Sequence, residues 1–489
     1  MKALDSKVNT NKGTVVKQIL TLVAAAAILA LIIALPLDPF NRGVEEALLT
    51  AGGKTALAIL VFVIILWVTE VVPFTIAALT GLLLMPLFGL MPFKETIAYG
   101  FGNAVVVFFI GILILSAGLT KSGLAKRLTR IIFSRVGLQP RKLVFIFMVV
   151  GAFFSMWITN MSVSAILFPI AVNILRKAKA EPLKSNFGKA LMISVAWGPA
   201  IGGITTPVGN GANIVALSYL RDLAGVQIDF LRWMIVGVPA AILILPLAYL
   251  ILIRVFPPET ISEEVLDSAP VFDAEKVKLQ SSEIKALAIF ALAVLFWVGD
   301  PLLLHLTGIS LPLEGVALGA AILIFLPGVN ILSWREAQHE VDWGSIVLIA
   351  AGLSLGAVVY ETGAARWLAT LAFSPLSQLS LAVSIFLAVF FVELIKVMFS
   401  SNTVTGVILV PLVIALSIEM GLDPWLLAGP VAIATSLAFL LVTSSPTNVI
   451  PYASGYFSIR DFAKAGIPLT LVVPFCITIT FIIFGVLLH

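Results

Sequence analysis

Apolar residues fill this chain in long unbroken runs, near 17–36, 55–72, 74–92, 103–120, 143–175, 190–220, 231–256, 285–303, 311–328, 343–360, 379–420, 424–450 and 465–488. A helix needs about 20 apolar residues to cross the hydrocarbon layer of a bilayer, and runs of that size follow one another along the whole chain. A strand barrel is excluded, because its lipid-facing and lumen-facing residues alternate and these do not. Charge is correspondingly scarce. Only 11% of the 489 residues are charged and 60% are hydrophobic, where a soluble domain carries roughly 25% charge. The expected fold class is an all-α polytopic membrane protein. A soluble enzyme, a secreted disulfide scaffold and a disordered chain are excluded. Cys476 is the single cysteine, so no intramolecular disulfide forms, and His305, His339 and His489 are too scattered for a metal centre. The first run lacks a small-residue cleavage site and reads as a retained helix, not a signal peptide.

Positive charge orients the runs. The net charge of +4 is modest and the basic residues cluster at run ends, so they report topology rather than nucleic-acid binding. Lys2, Lys7, Lys12 and Lys17 place the N-terminus in the cytoplasm. Three further crossings return the chain to that side at its densest basic stretch, Lys121, Lys126, Arg127, Arg130, Arg135, Arg141 and Lys142. The run at 143–175 starts there and ends at Arg176, Lys177, Lys179 and Lys184. Both its ends face the cytoplasm, so it is expected to be a re-entrant hairpin with its tip inside the membrane. The tip, Ser155-Met156-Trp157-Ile158-Thr159-Asn160-Met161-Ser162, is polar. At membrane depth that is tolerated only inside protein or along a wet cavity. The run at 379–420 repeats the pattern from the other side, with the tip Phe399-Ser400-Ser401-Asn402-Thr403-Val404-Thr405. About eleven crossings then remain, in a cell (inner or plasma) membrane, with the acidic linker at 257–284 cytoplasmic and the C-terminus outside.

The chain repeats itself. Asn160 precedes Pro169 by nine positions, and Asn402 precedes Pro411 by nine, at an offset of 242. Ser122-Gly123-Leu124-Ala125-Lys126-Arg127-Leu128 is echoed by Thr362-Gly363-Ala364-Ala365-Arg366-Trp367-Leu368 at offset 240, and Gly209-Asn210-Gly211-Ala212-Asn213 by Ser444-Ser445-Pro446-Thr447-Asn448 at offset 235. Five crossings separate Lys126 from Arg366, so the copies are expected to be inverted in the membrane. Inverted repeats mark secondary transporters, whose substrate site lies near the midplane between the copies.

Each copy has two interruptions, a hairpin tip and a helix broken by Gly and Pro at 202–213 or 442–448. Free N–H groups at a half-helix start favour an anion, and free carbonyls at a half-helix end favour a hard cation such as Na⁺. Two-fold pseudo-symmetry suits an anion charged at both ends, such as a dicarboxylate. Neither tip motif holds a basic residue, so co-bound cations would neutralise such a dianion and couple its binding to theirs.

At these residues the sequence resembles the divalent anion/sodium symporter family, which carries dicarboxylates, citrate and sulfate, and the resemblance spans nearly the whole chain. That family bears Ser-Asn-Thr at both hairpin tips. Here the second copy is Ser401-Asn402-Thr403 and the first is Thr159-Asn160-Met161. The resemblance implies a homodimer and elevator-type movement of a transport domain (143–256 and 376–489) against a scaffold (1–142 and 285–375). It implies substrate contacts at Thr159, Asn160, Asn210, Gly211, Ser401, Asn402, Thr403, Ser445 and Pro446. It implies one Na⁺ site at Ser155, Thr159, Asn160 and Gly209, and a second at Ser401, Asn402 and Ser444. Two positions depart from the pattern. Met161 replaces a hydroxyl, and Val397 stands where the first copy has Ser155. Lys396 lies beside Val397, with Glu393 at i,i+3. Its ammonium is expected either to stand in for a cation or to pair with Glu393. Glu70, in Trp67-Val68-Thr69-Glu70, matches a family pattern and reads as structural or interfacial, while Asp300, His305 and Glu314 read as solvated residues near the outer edge.

The expected function is secondary active transport of dicarboxylates of the succinate, malate, fumarate or 2-oxoglutarate type by Na⁺ symport. The alternatives are sodium-independent exchange of dicarboxylates or citrate, and symport of sulfate or another divalent anion. No organic cofactor is expected. An intramembrane enzyme is disfavoured, because the chain has no Ser/His pair, no H-E-x-x-H and no paired intramembrane aspartates.

Overall fold

The computed structural model describes residues 12–41, 48–134, 139–260, 279–373 and 379–488, and among them every regular element is helical. Each half runs through the same succession. In the first, the long helix Ala104–Ser122 stops at Gly123 and the amphipathic helix Leu124–Ser134 follows. Next come the first hairpin (Pro140–Ser155 and Asn160–Lys177), a broken helix (Asn186–Gly202 and Gly211–Ala224) and the long helix Phe230–Val255. The second half gives Trp343–Glu361, Ala364–Phe373, a second hairpin (Leu381–Ile395 and Asn402–Glu419), a second broken helix (Pro424–Thr435 and Pro446–Tyr452) and Ile459–Thr480. Gly123 (φ 85°) and Gly363 (φ 76°) both take the left-handed conformation that side chains avoid, which is why Ser122-Gly123 recurs as Thr362-Gly363. Most of the linker expected at 257–284 lies outside the described residues, as do Lys2, Lys7 and Arg135.

Nine described helices are long and apolar enough to cross a membrane. Two of them, Leu381–Met398 and Asn402–Glu419, are the arms of the second hairpin. The other seven, with the shorter Phe74–Leu87 and Leu313–Phe325 and the two broken helices, make up the crossings expected from the sequence.

Polar contacts at the helix ends show that the repeat is inverted. Ala104–Ser122 begins at Asn103, which bonds Asp222 at 2.6 Å, and ends at Lys121, which pairs with Glu336 at 2.9 Å. Glu336 belongs to the short helix Trp334–Glu340, directly before Trp343–Glu361. The latter helix therefore starts where Ala104–Ser122 stops and carries the chain to the opposite end. There Arg366 pairs with Glu419. At the Lys121 end Arg127 pairs with Glu283 at 2.6 Å. The two amphipathic helices thus cap opposite ends of the bundle. The end holding Lys121, Arg127 and Lys189 is called the basic end below.

The copies match in sequence but not in exposure. On the first hairpin, Met161, Ala165, Pro169 and Asn173 form an exposed stripe. Their equivalents at offset 242 on the second hairpin are Thr403, Val407, Pro411 and Ala415, of which the first is half-buried and the others buried. Val407 packs so closely on Gly352 that a Cβ there would come within 2.7 Å of it. The face covered in one copy is open in the other.

Candidate functional site

Four helix starts meet in the middle of the bundle: Asn160, Gly211, Asn402 and Pro446. Contacts join all four interruptions. Gly203 lies so close to Asn160 that a Cβ would fall 2.0 Å from its side-chain amide, and a Cβ on Gly211 would fall 2.7 Å from the Thr403 hydroxyl. The Ser164 hydroxyl donates to the Thr447 carbonyl at 3.1 Å, and the Asn402 amide donates to the Ser436 carbonyl at 3.3 Å. Each start points free backbone N–H groups and the positive end of its peptide dipoles at the shared space, an arrangement suited to an anion. Asn210 caps its half-helix by accepting from the Ala212 N–H at 3.0 Å, and Ser401 accepts from the Val404 N–H. Ser445 is buried and precedes Pro446, whose missing N–H costs nothing at a helix start.

Beside each hairpin tip is a cluster of oxygen atoms. In the first copy the Asn160 amide nitrogen faces the Gly209 carbonyl at 3.0 Å, the Pro199 carbonyl at 3.2 Å and the Ser155 hydroxyl. Three of the four residues expected to hold a first Na⁺ are thus together. The hydroxyl of the fourth, Thr159, shares a hydrogen bond with Ser162 at 2.9 Å. In the second copy the donor is an ammonium. Lys396, 1% exposed, donates to the Asn402 side-chain oxygen at 2.5 Å and to the Ser444 carbonyl at 3.3 Å. Ser444 is the offset-235 equivalent of Gly209. The Ser401 hydroxyl instead caps the following helix.

The pairing of Lys396 with Glu393 does not form: among the described residues no ion pair joins them, and Glu393 keeps a buried carboxylate oxygen with no hydrogen-bond partner. The spacing allowed the pair, but the ammonium turns toward two acceptors at the tip. Glu70 ends the helix Ala51–Thr69 with φ 49° and accepts a hydrogen bond from the Ser400 hydroxyl at the second tip. That fits the interfacial reading. Glu314 is not merely solvated, since it pairs with Arg221 at 3.0 Å.

Sequence reasoning missed the groups that hold the broken helices open. Asn213 donates to the carbonyls of Gly203 and Thr206, both at 2.8 Å. Asn448 donates to those of Ala438 at 2.8 Å and Leu441 at 3.4 Å. All three positions shift by the same 235 residues between copies. Each amide replaces the helical partners that its unwound segment has lost. The Ser436 hydroxyl satisfies the Asn213 oxygen at 3.1 Å. Its counterpart in the first copy is Ile201, which offers no hydroxyl, and the Asn448 oxygen stays buried without a partner among the described residues. The constant offset was the available signal.

The family model described as "Sodium:sulfate symporter transmembrane region" matches residues 16–489. The chain is 28% identical over 445 residues to the "Sodium-dependent dicarboxylate transporter SdcS" of Staphylococcus aureus strain USA300, covering 86% of this chain and 84% of that protein. The same figures hold for the protein of that name from strain NCTC 8325. Among solved structures, the Alcanivorax borkumensis YdaH transporter superposes with a TM-score of 0.57 at 17% identity, covering 96% of this chain and 98% of that one. That last likeness concerns the fold alone.

Proposed function

This chain belongs to the sodium:sulfate symporter family of membrane transporters, and on that premise we propose that it carries dicarboxylates by Na⁺ symport with an elevator movement. The observation behind the proposal is the convergence of four helix starts, two from each inverted copy, on one space. A dicarboxylate places one carboxylate against each copy. Asn160, Asn210 and Gly211 from the first copy, and Ser401, Asn402, Thr403, Ser445 and Pro446 from the second, line that space. Thr159 would contribute once its hydroxyl left Ser162. The similarity to a sodium-dependent dicarboxylate transporter supports this choice of solute and ion.

The oxygens of Ser155, Gly209 and Pro199 suit a carried Na⁺, which would take the place of the donor that Asn160 now presents. The opposite exposure of the two hairpins supports alternating access. In this state the first hairpin is open toward the basic end, which the positive-inside rule assigns to the cytoplasm. Exchange of the two exposures would give the outward-open state. The transport domain is 143–256 with 376–489, moving against 1–142 with 285–375, in a homodimer.

A second reading rests on Lys396. Its ammonium occupies the acceptors of the second cation site, as expected of an exchanger that carries no sodium there. Proteoliposomes tested with succinate, 2-oxoglutarate, citrate and sulfate decide. Symport requires uptake driven by a Na⁺ gradient without internal anion, and exchange requires internal dicarboxylate and indifference to Na⁺. Asn160→Ala and Asn402→Ala are each expected to abolish uptake in a folded protein, and normal uptake by either variant overturns the site.

A further inference from the structure

A cavity of about 560 Å³ opens at the basic end, between the last turns of Asn160–Lys177 and the bend after Pro446–Tyr452. Its wall includes Phe168, Pro169, Asn173, Arg176, Ser454 and Tyr456, and no acidic residue lines it. Arg176 is exposed, and among the described residues it forms no ion pair. Arg176 and Tyr456 line the same wall, and while burial raises the Tyr456 phenol above its ordinary range, the charge of Arg176 pulls it back. Pro169 and Asn173 belong both to this wall and to the exposed stripe that starts at Met161. The cavity is therefore the outer end of a continuous face. It leads from the first hairpin tip over 15 residues, or about 22 Å of helix.

We propose that this cavity is a second, transient anion site, in which Arg176 and Asn173 receive one carboxylate of the carried dicarboxylate as it enters or leaves on the basic side. The proposal rests on the dicarboxylate reading above. A basic residue at a helix C-terminus also serves the helix dipole and the topology, but Lys177 and Lys179 beside it already meet those needs. The second hairpin lacks the device: Ile418 and Ala415 stand where the first has Arg176 and Asn173. The feature is thus not a by-product of the repeat. A guanidinium fork and a neutral amide above an apolar floor of Phe168 and Pro169 suit a carboxylate attached to a short carbon chain. A fixed positive charge at the mouth also raises the local concentration of a dianion.

The test is one-sided kinetics. Full-length protein in proteoliposomes of defined orientation is assayed with succinate presented to either face, for wild type, Arg176→Gln and Arg176→Lys. Arg176→Gln is expected to raise KM about three- to tenfold for succinate on the basic side. The KM on the opposite side and kcat should hold, and the increase should shrink in high salt. Arg176→Lys should recover most of the loss, and Asn173→Asp, which sets a carboxylate into the wall, should raise the same KM. An unchanged KM, or an equal change on both faces, overturns the proposal. Wild-type protein that moves no succinate or other dicarboxylate overturns the reading beneath it, and this site with it.

Discussion

Lys396 has the most consequential side chain in the second tip because of where its ammonium points. Two buried acceptors, the Asn402 side-chain oxygen and the Ser444 carbonyl, depend on it. Removing a donor from buried acceptors costs about 1–3 kcal/mol for each group left unsatisfied. Lys396→Met is therefore expected either to admit a cation to that place or to loosen the tip. Uptake should fall at least about tenfold at a Na⁺ concentration that sustains wild type, and recover partly as Na⁺ is raised further. The double variant Lys396→Met/Glu393→Gln, which removes both buried ionisable groups, should fold at least as well as the single one. Sodium dependence identical to wild type in a folded single variant would give Lys396 a purely structural role. Part of this was legible in advance. The pattern marked Lys396 as unusual, since it stands beside a position where the other copy has a hydroxyl. Its direction was not, because an i,i+3 carboxylate offered an equally good local partner and only the folded tip supplies the competing acceptors. Asn213 and Asn448 were overlooked for a related reason. Their partners are backbone carbonyls, which leave no mark in sequence beyond a constant offset.

At the scale of elements, the hairpins and broken helices could be read directly. Lysines and arginines at both ends of one run, with Asn, Ser and Thr at its middle, leave a turn inside the membrane as the physical solution. Less visible is what anchors the start of the first broken helix. Glu259 follows the helix Phe230–Val255 and reaches across to Asn186–Gly202, accepting from the N–H groups of Asn186 at 2.6 Å and Phe187 at 2.8 Å, and from the Ser185 hydroxyl at 3.1 Å. Partial burial pushes its carboxyl upward, yet the bonds from Phe187, Asn186 and Ser185 outweigh that and hold it below the ordinary carboxylate range. A lowered folded-state value means that the stabilisation is full above the unfolded carboxylate range and is lost as pH falls through the folded-state value. Glu259→Gln is expected to cost about 1 kcal/mol, the scale of an N-terminal cap on an exposed helix end. The melting difference from wild type in detergent should be largest near neutral pH and close in acid. A gap that stayed constant down to pH 3 would mean that the charge is irrelevant to the anchor.

For the whole molecule, the sequence could reveal the inversion but not the state, because an inverted repeat encodes both exposures and the fold selects one. The selection is visible in what holds the ends. Opposite the basic end, Arg221 donates to Asn103 at 2.9 Å and to Glu314 at 3.0 Å, while Asn103 donates to Ser218 at 2.9 Å and to Asp222 at 2.6 Å. This network ties the end of the first broken helix to the starts of Ala104–Ser122 and Leu313–Phe325. The corresponding end of the second broken helix borders the open cavity at Ser454 and Tyr456 instead. If the broken helices travel with the hairpins and the other two helices belong to the scaffold, the Arg221 network must part for the opposite state to form, and it biases the equilibrium toward the present one. Glu314→Gln keeps the hydrogen-bonding shape and removes one charge. For a partly exposed pair that is worth up to about 1 kcal/mol, or about a fivefold shift in the ratio of states. The shift can be read by labelling equivalent positions of the two hairpins in a Cys476→Ser background. Ala165→Cys, on the exposed stripe, should react with a membrane-impermeant maleimide more slowly when Glu314→Gln is added. Val407→Cys, on the covered face, should react up to about fivefold faster, the two rates moving in opposite directions with the larger factor on the covered face, whose exposed state is the less populated one. Rates moving together would indicate general loosening, and unmoved rates would mean that the network lies within one rigid body. Either result would place the moving boundary elsewhere than between the first broken helix and these two neighbours.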